Sequence, residues 1–363
     1  MADTIVGAGL TVEQWDDKFF SEYLTENRYA GEMGTNENSI IQVKENLAKK
    51  PGDRINFALV NKLTQDAITG RNVLEGNEED MSSRSFEVAI TKRRNGVRVA
   101  EIDEQFSAIS LRDAAKTTLK DWALKDTEKL IERALASING VALASSSEAQ
   151  RDAWLADNTD RVYFASGYAG ADHSAGWDQL DATADILTAA DLSAMKLKAL
   201  TRANPKVRPI RSEKNGRNLY VVYAHPLAFR DLKNDPVITA AQREVAVAME
   251  NERLFKGGDL LWDGMIIKEA HGLYDTSTYA GEGAGGTDTV VPVYLCGAQA
   301  VGAAYAKRWN SKQQVFDYGD KHGVAIEAIY GIEKMQFGSG PADRDDLKDH
   351  GVVTGYFASS TVA

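Results

Sequence analysis

Four basic side chains, Lys92, Arg93, Arg94 and Arg98, crowd around Asn95-Gly96 in the stretch FEVAITKRRNGVRVAEIDEQ. Cations at this density can hold phosphate, or pair with carboxylates across a protein interface. A second basic run, PKVRPIRSEKNGRNLY, carries Lys206, Arg208, Arg211, Lys214 and Arg217 and again contains Asn-Gly (Asn215, Gly216). Asn-Gly supplies the positive φ angles of a tight turn, so each run is expected to be a basic β-hairpin. Neither run is interleaved with the aromatics on which single-strand binders stack bases. Candidate counter-charges are Glu78, Glu79 and Asp80 in NEED, and Asp16 and Asp17 near the N-terminus.

Other chemistry does not assemble. The five histidines (His173, His225, His271, His322, His350) lack HExxH or paired-ligand spacing. Cys296 precedes an apolar run and reads as a small packing residue rather than a nucleophile. GEGAGG at 281–286 matches G-x-G-x-x-G literally. A dinucleotide site needs a strand before it and a helix after it, whereas the strand-like TVVPVYLC follows here. The carboxylates of NEED lack the ligand spacing and glycine of a calcium loop. No catalytic residue, cofactor or metal is expected.

The charge balance weighs against wrapping nucleic acid. The 363 residues carry a formal net charge of −11, the wrong sign for a surface that works by releasing counterions from phosphates. A single cysteine excludes an intrachain disulfide and fits a reducing compartment. The N-terminus lacks a basic-then-apolar signal pattern, and no run reaches the ~20 apolar residues of a membrane span. No membrane partner is expected.

The elements that would position these residues follow from periodicity. Residues 1–48 hold nine acids against three bases, with apolar residues in short pieces, and read as an arm seeking a neighbour's surface. Ile55, Phe57 and Leu59, then Phe86, Val88 and Ile90, alternate as half-buried strands flanking a long polar tip. Ser110 can cap a helix in which Leu111, Ala115, Leu119, Trp122, Leu130, Ala134 and Ile138 share one face. Its expected span, 111–138, is on the order of 42 Å, against a radius of gyration of about 21 Å for such a chain. Residues 141–189 look polar and loop-rich. Beyond them TAADLSAMKLKALTRA, LAFRDLKND and PVITAAQREVAVAME read as helices. NLYVVYAHP, a DLLWDGMIIKEA pair and VAIEAIYGIEKMQF read as strands, and CGAQAVGAAYAKRW as a small-residue helix.

This order resembles the major capsid proteins of tailed bacteriophages, the HK-97-type fold. VLEGNEEDM, ISLRDAAKTTLKDWALKDTEKLI, the run LTAADLSAMKLKALTRANPKVRPIRSEKNGRNLYVVYAHPLAFRDLKND, GAQAVGAAYAKRW, FDYGDKHGVAIEAIYGIEKMQF and HGVVTGYFA are similar to stretches of the capsid family of N-four-like phages. The resemblance covers roughly residues 50–360. It implies an α+β fold with an N-terminal arm (1–48), an extended two-stranded E-loop (49–103) and a P-domain with a spine helix (104–189). An α/β axial A-domain (190–314) and a return strand with the C-terminus (315–363) complete it. It also implies a non-enzymatic shell protein that assembles with itself as hexamers and pentamers and encloses packaged DNA without binding it specifically. The shell would be built in the host bacterial cytoplasm with a separate scaffolding protein, a portal and decoration proteins as candidate partners. An α/β small-molecule enzyme and a soluble nucleic-acid-binding protein stand as the alternatives. On this reading Lys92, Arg93, Arg94, Arg98, Glu78, Glu79, Asp80, Asp16 and Asp17 are candidates for inter-subunit contact, while Trp122, Leu119 and Leu130 pack the spine helix.

Overall fold

The computed structural model describes residues 27–45, 52–60, 63, 65–81, 83–107, 110–211, 216–245, 259–273, 280–338 and 347–359. The chain begins with short strands β1 (Met33–Gly34) and β2 (Ile41–Lys44). The pair β3 (Arg54–Val60) and β4 (Ser83–Ala89) follows, then β5 (Thr91–Ala100) and the short helix α1 (Glu101–Phe106). A long helix α2 (Leu111–Leu135) leads to α3 (Glu148–Asp157), β6 (Val162–Phe164) and α4 (His173–Asp178). Next come α5 (Ala189–Leu197), β7 (Ile210–Arg211), β8 (Asn218–Ala224), α6 (Pro226–Lys233) and α7 (Pro236–Val245). The hairpin of β9 (Leu260–Trp262) and β10 (Met265–Glu269) turns at Asp263-Gly264, as its sequence predicts. The described part of the last third is mainly strand: β11 (Thr289–Cys296), β12 (Val301–Phe316), β13 (Lys321–Lys334), β14 (Gln336–Gly338), β15 (Leu347–Asp349) and β16 (Val352–Ser359).

Two sheets organise these elements. One has the order β1-β2-β12-β13-β5, and the other β6-β16-β11-β8-β10-β9 with β7 pairing β8. Helix α2 lies on the first sheet and starts where Ser110 accepts the Asp113 N–H. It ends at Leu135, three residues short of the expected Ile138. Ile138 instead bridges Val141 across a tight turn in which Asn139 and Gly140 take φ 47° and 79°. Leu119 is fully buried, and Leu130 and Trp122 pack partly buried against the same core. The Trp122 ring meets Trp309 of β12 edge-on at 5.8 Å.

Four expectations are corrected. The segment CGAQAVGAAYAKRW is not a helix but contributes the start of β12. Val301, Ala303 and Tyr305 face the α2 core, while Ala304 faces the core at the β3–β4 root with Phe57 and Met335. A strand covered on both faces reads as one apolar run and loses its alternation. Asn95-Gly96 is not a turn but lies mid-strand in β5, paired with Ile326 and Ala325. A Cβ on Gly96 would lie 3.0 Å from the Ala325 Cβ, so this glycine serves close approach between strands rather than a turn. Residues 141–189 are not merely loop: a capping box at Ser147 and Gln150 starts α3. Trp154, Trp177 and Phe164 then build a separate core. Finally, the expected arm is largely part of the body where it is described. Tyr29, Ile40 and Ile41 are buried in the main core, and β2 pairs in parallel with β12. Asp16 and Asp17 lie outside the described residues.

Candidate assembly surface

Strand β5 presents its cations alternately to two sides. Arg93 points to α2, where Nε and Nη2 donate to the two carboxylate oxygens of Asp126 at 2.5 Å each. Asp126 also accepts from the Tyr330 hydroxyl at 2.9 Å. The bond to Asp126 raises the already high basicity of Arg93.

On the opposite side Lys92 reaches Glu327 of β13 at 3.0 Å. Lys307 and Lys312 reach the same carboxylate at 2.6 and 2.7 Å. Hydrogen bonds from Lys307 and Lys312 lead in holding the Glu327 pKa down to about 2, against the opposing effect of burial. Arg94 stands opposite Glu327 in the β5–β13 register. The Arg98 guanidinium stacks over the Phe316 ring at 4.5 Å. These side chains border an open groove of about 480 Å³ whose lining includes Lys92, Arg94, Arg98 and Lys312 against one carboxylate, Glu327.

The acidic candidates sit elsewhere, on the connection between β3 and β4. Glu79 accepts the Gln65 N–H and Glu78 the Gly76 N–H, both at 2.8 Å, so two of the three carboxylates shape their own loop. Asp80 is exposed. Val73, Leu74 and Met81 are 61–77% exposed beside them. In the second basic run, β7 and β8 pair antiparallel, Gly216 takes φ 62°, and Arg208 pairs with Glu37 at 3.7 Å, while Lys214 and Asn215 lie outside the described residues.

Asp126, Glu327, Lys307 and Lys312 were missed from sequence. Glu327 carried a signal: a lone acid in the alternating strand VAIEAIY must find cations if its side is covered.

Of the groups considered for catalysis, Cys296, His225 and His173 lie in the packed interior. Cys296 is buried, and burial pushes its thiol pKa up. His225 accepts the Leu227 N–H at the start of α6, and burial lowers its pKa to about 4. His173 lies among Trp154, Trp177 and Tyr356, with its pKa lowered to about 3, mainly by burial. Glu148, Asp152 and Asp172 bring oxygens within 4.8 Å of one another. Hydrogen bonds from Ser174 Oγ and the His173 N–H engage those carboxylates. Among the described residues no helix is long and apolar enough to cross a membrane.

The phage capsid protein family matches residues 3–361. This chain belongs to that family. It is 31% identical over 349 residues to the major capsid protein of Pseudomonas phage KPP25, covering 90% of this chain and 89% of the relative. Its fold is similar to the capsid asymmetric unit of cyanophage Pam1 over the full length of both chains, with TM-score 0.80 and 30% identity. The capsid of Ralstonia phage GP4, also matched over both full lengths, shares the fold at TM-score 0.76 and 21% identity. The chain is therefore a structural, shell-forming phage capsid protein of the HK-97-type fold, and not an enzyme. It assembles with itself into the shell of the virion.

Proposed function

We propose that this capsid protein builds an icosahedral shell of hexamers and pentamers around double-stranded DNA, and that charge complementarity between copies sets its contacts. In this reading residues 49–103 act as the E-loop, α2 is the spine of a P-domain spanning 104–189, and 190–314 form the axial A-domain. Residues 315–363 return to the P-domain. A separate scaffolding protein, a portal and decoration proteins are its further partners, with assembly in the host bacterial cytoplasm.

Residues 65–81 hold five acids (Asp66, Glu75, Glu78, Glu79, Asp80) and one base, Arg71, beside exposed apolar side chains. The groove on β5 and β13 has the opposite charge and an aromatic wall, Phe316. Lys92, Arg94 and Arg98 of one copy therefore meet carboxylates of another, either Glu78, Glu79 and Asp80 of its loop or Asp16 and Asp17 of its arm. Each exposed pair is worth only ~0–1 kcal/mol, so the effect depends on repetition around a capsomer and weakens as salt rises.

The test changes Arg94 and Arg98 together to Gln and follows assembly without DNA by negative-stain microscopy. Fewer or aberrant shells, with a folded subunit, are expected. Normal empty shells with a defect confined to DNA packaging would transfer these cations to the nucleic-acid reading.

A further inference from the structure

Residues 27–33 form a strap laid between α2 and the second sheet. Tyr29 is buried and packs edge-on against Tyr223 of β8 at 5.5 Å. Glu32 makes a buried ion pair with Lys268 of β10 at 2.6 Å. The strap's backbone closes on itself through Glu32 and Met33 N–H bonds to the Tyr29 carbonyl, and then joins β2. It is also the root of the 26 residues that precede it.

Glu132, in the last turn of α2, sits beneath this strap. It is 4% exposed, and its carboxylate accepts the Tyr29 hydroxyl at 2.8 Å. It also accepts a backbone hydrogen bond from Gly272, on the turn His271–Leu273 after β10. The approach is so close that a Cβ on Gly272 would overlap the carboxylate and force it to shift. One side chain thus ties together the strap, α2 and the 271–273 turn.

Its location is unfavourable for a negative charge. The C-terminal end of a helix is the negative end of its dipole, and the site is desolvated. Glu128, one turn earlier on the same helix, adds like charge, and its own carboxylate accepts the Arg28 N–H of the strap at 3.2 Å. Opposing these is the Arg28 side chain on the strap. On α2, Lys129 and Arg133 line the adjoining cavity of about 360 Å³. From the third element, His271 faces its neighbour Glu269 at 3.4 Å.

We propose that Glu132 is a protonation-controlled latch for the strap 27–33, holding it closed when neutral and loosening it when ionised. The pKa of Glu132 is raised, with desolvation the largest cause, above the Tyr29 and Gly272 hydrogen bonds that lower it. The linkage follows from that sign. An acid with a higher pKa in the closed state than in the open, hydrated state binds a proton preferentially when closed. Falling pH therefore drives closing, and rising pH drives opening, by up to about tenfold in the equilibrium per pH unit between the two pKa values.

Hydrogen exchange of the Glu32 and Met33 amides in the full-length subunit, corrected for intrinsic rates between about pH 4 and pH 8, tests the latch. Wild type should lose protection as pH rises. Glu132→Gln should be protected without pH dependence. Tyr29→Phe, which removes a donor that favours the ionised form, should shift the wild-type transition to higher pH. A flat wild-type profile, or an unchanged slope in Glu132→Gln, would overturn the proposal. Should Glu132→Gln fail to fold, a Tyr29→Phe transition at the wild-type pH would overturn it instead.

Discussion

Arg93 of β5 and Asp126 of α2 form a two-pronged ion pair that fastens this long helix to the edge strand of its sheet. The residues are 33 positions apart, and Asp126 is mostly buried while Arg93 is one-third exposed. Among the basic residues of β5, Arg93 therefore acts within the subunit.

Arg93→Gln should lower the stability of the isolated subunit by about 1–2 kcal/mol, because it leaves Asp126 with the Tyr330 hydroxyl as a remaining donor. The partial exposure of Arg93 keeps the figure at the lower end. Arg94→Gln should leave stability unchanged, since its side chain borders the open groove. Denaturant unfolding of the two variants separates them, and equal losses would contradict this division of roles.

Trp122→Ala should cost about 3 kcal/mol. That is the lower part of the range for aromatic truncation, because Trp122 is only partly buried while its ring rests on the buried Trp309. The loss should appear both in subunit unfolding and in reduced yield of particles. An unaffected melting temperature would show that the Trp122–Trp309 contact contributes little.

Where sequence reading succeeded, the signal was local. Ser110 and Asp113 mark the start of α2 through a cap three residues wide, and Ile55 and Phe57 declare a strand by alternation. It failed where a distant partner decided the outcome. Asn95-Gly96 has the composition of a turn, yet ten consecutive pairings to β13, more than 200 residues away, hold it straight. The small residues of β12 favour a helix in isolation, but two cores cover the strand on both faces. Lys92 and Arg93 were found as cations, whereas Glu327 and Asp126 became visible only once β13 and α2 were in place. The buried strap residues Tyr29 and Glu32 were hidden for the same reason: their partners Tyr223 and Lys268 lie on the second sheet.

Gly331→Ala should be among the most damaging single changes to the loop root. A Cβ at this position would stand 1.9 Å from the Ala89 carbonyl oxygen and 3.3 Å from Val88 Cγ1. Ala89 ends β4, so the added methyl must push the β3–β4 ribbon off β13. Overpacking against backbone has no flexible side chain to yield, which places the cost at about 3 kcal/mol, the upper end of the usual range. Increased hydrogen exchange in β3 and β4, with α2 unchanged, would be the signature. Equal loosening throughout the chain would point to a general folding defect instead.

Glu327 carries a pKa lowered to about 2 by Lys307, Lys312 and Lys92, against about 4.3 for an unperturbed glutamate. An acid whose folded-state pKa is depressed contributes stability that is fully present above its unfolded pKa and is lost as pH falls toward its folded one. The contribution of Glu327 should therefore be constant above about pH 5 and decline between about pH 4 and pH 2, leaving Lys92, Lys307 and Lys312 to repel one another. Because these lysines are 37–60% exposed, added salt should shrink the effect. Glu327→Gln should be less stable than wild type near neutrality, and the two should converge as pH approaches 2. Urea unfolding of both proteins across that interval provides the measurement. A stability difference independent of pH would mean that the lysines do not depress the Glu327 pKa, and that the carboxylate acts by hydrogen bonding and packing alone.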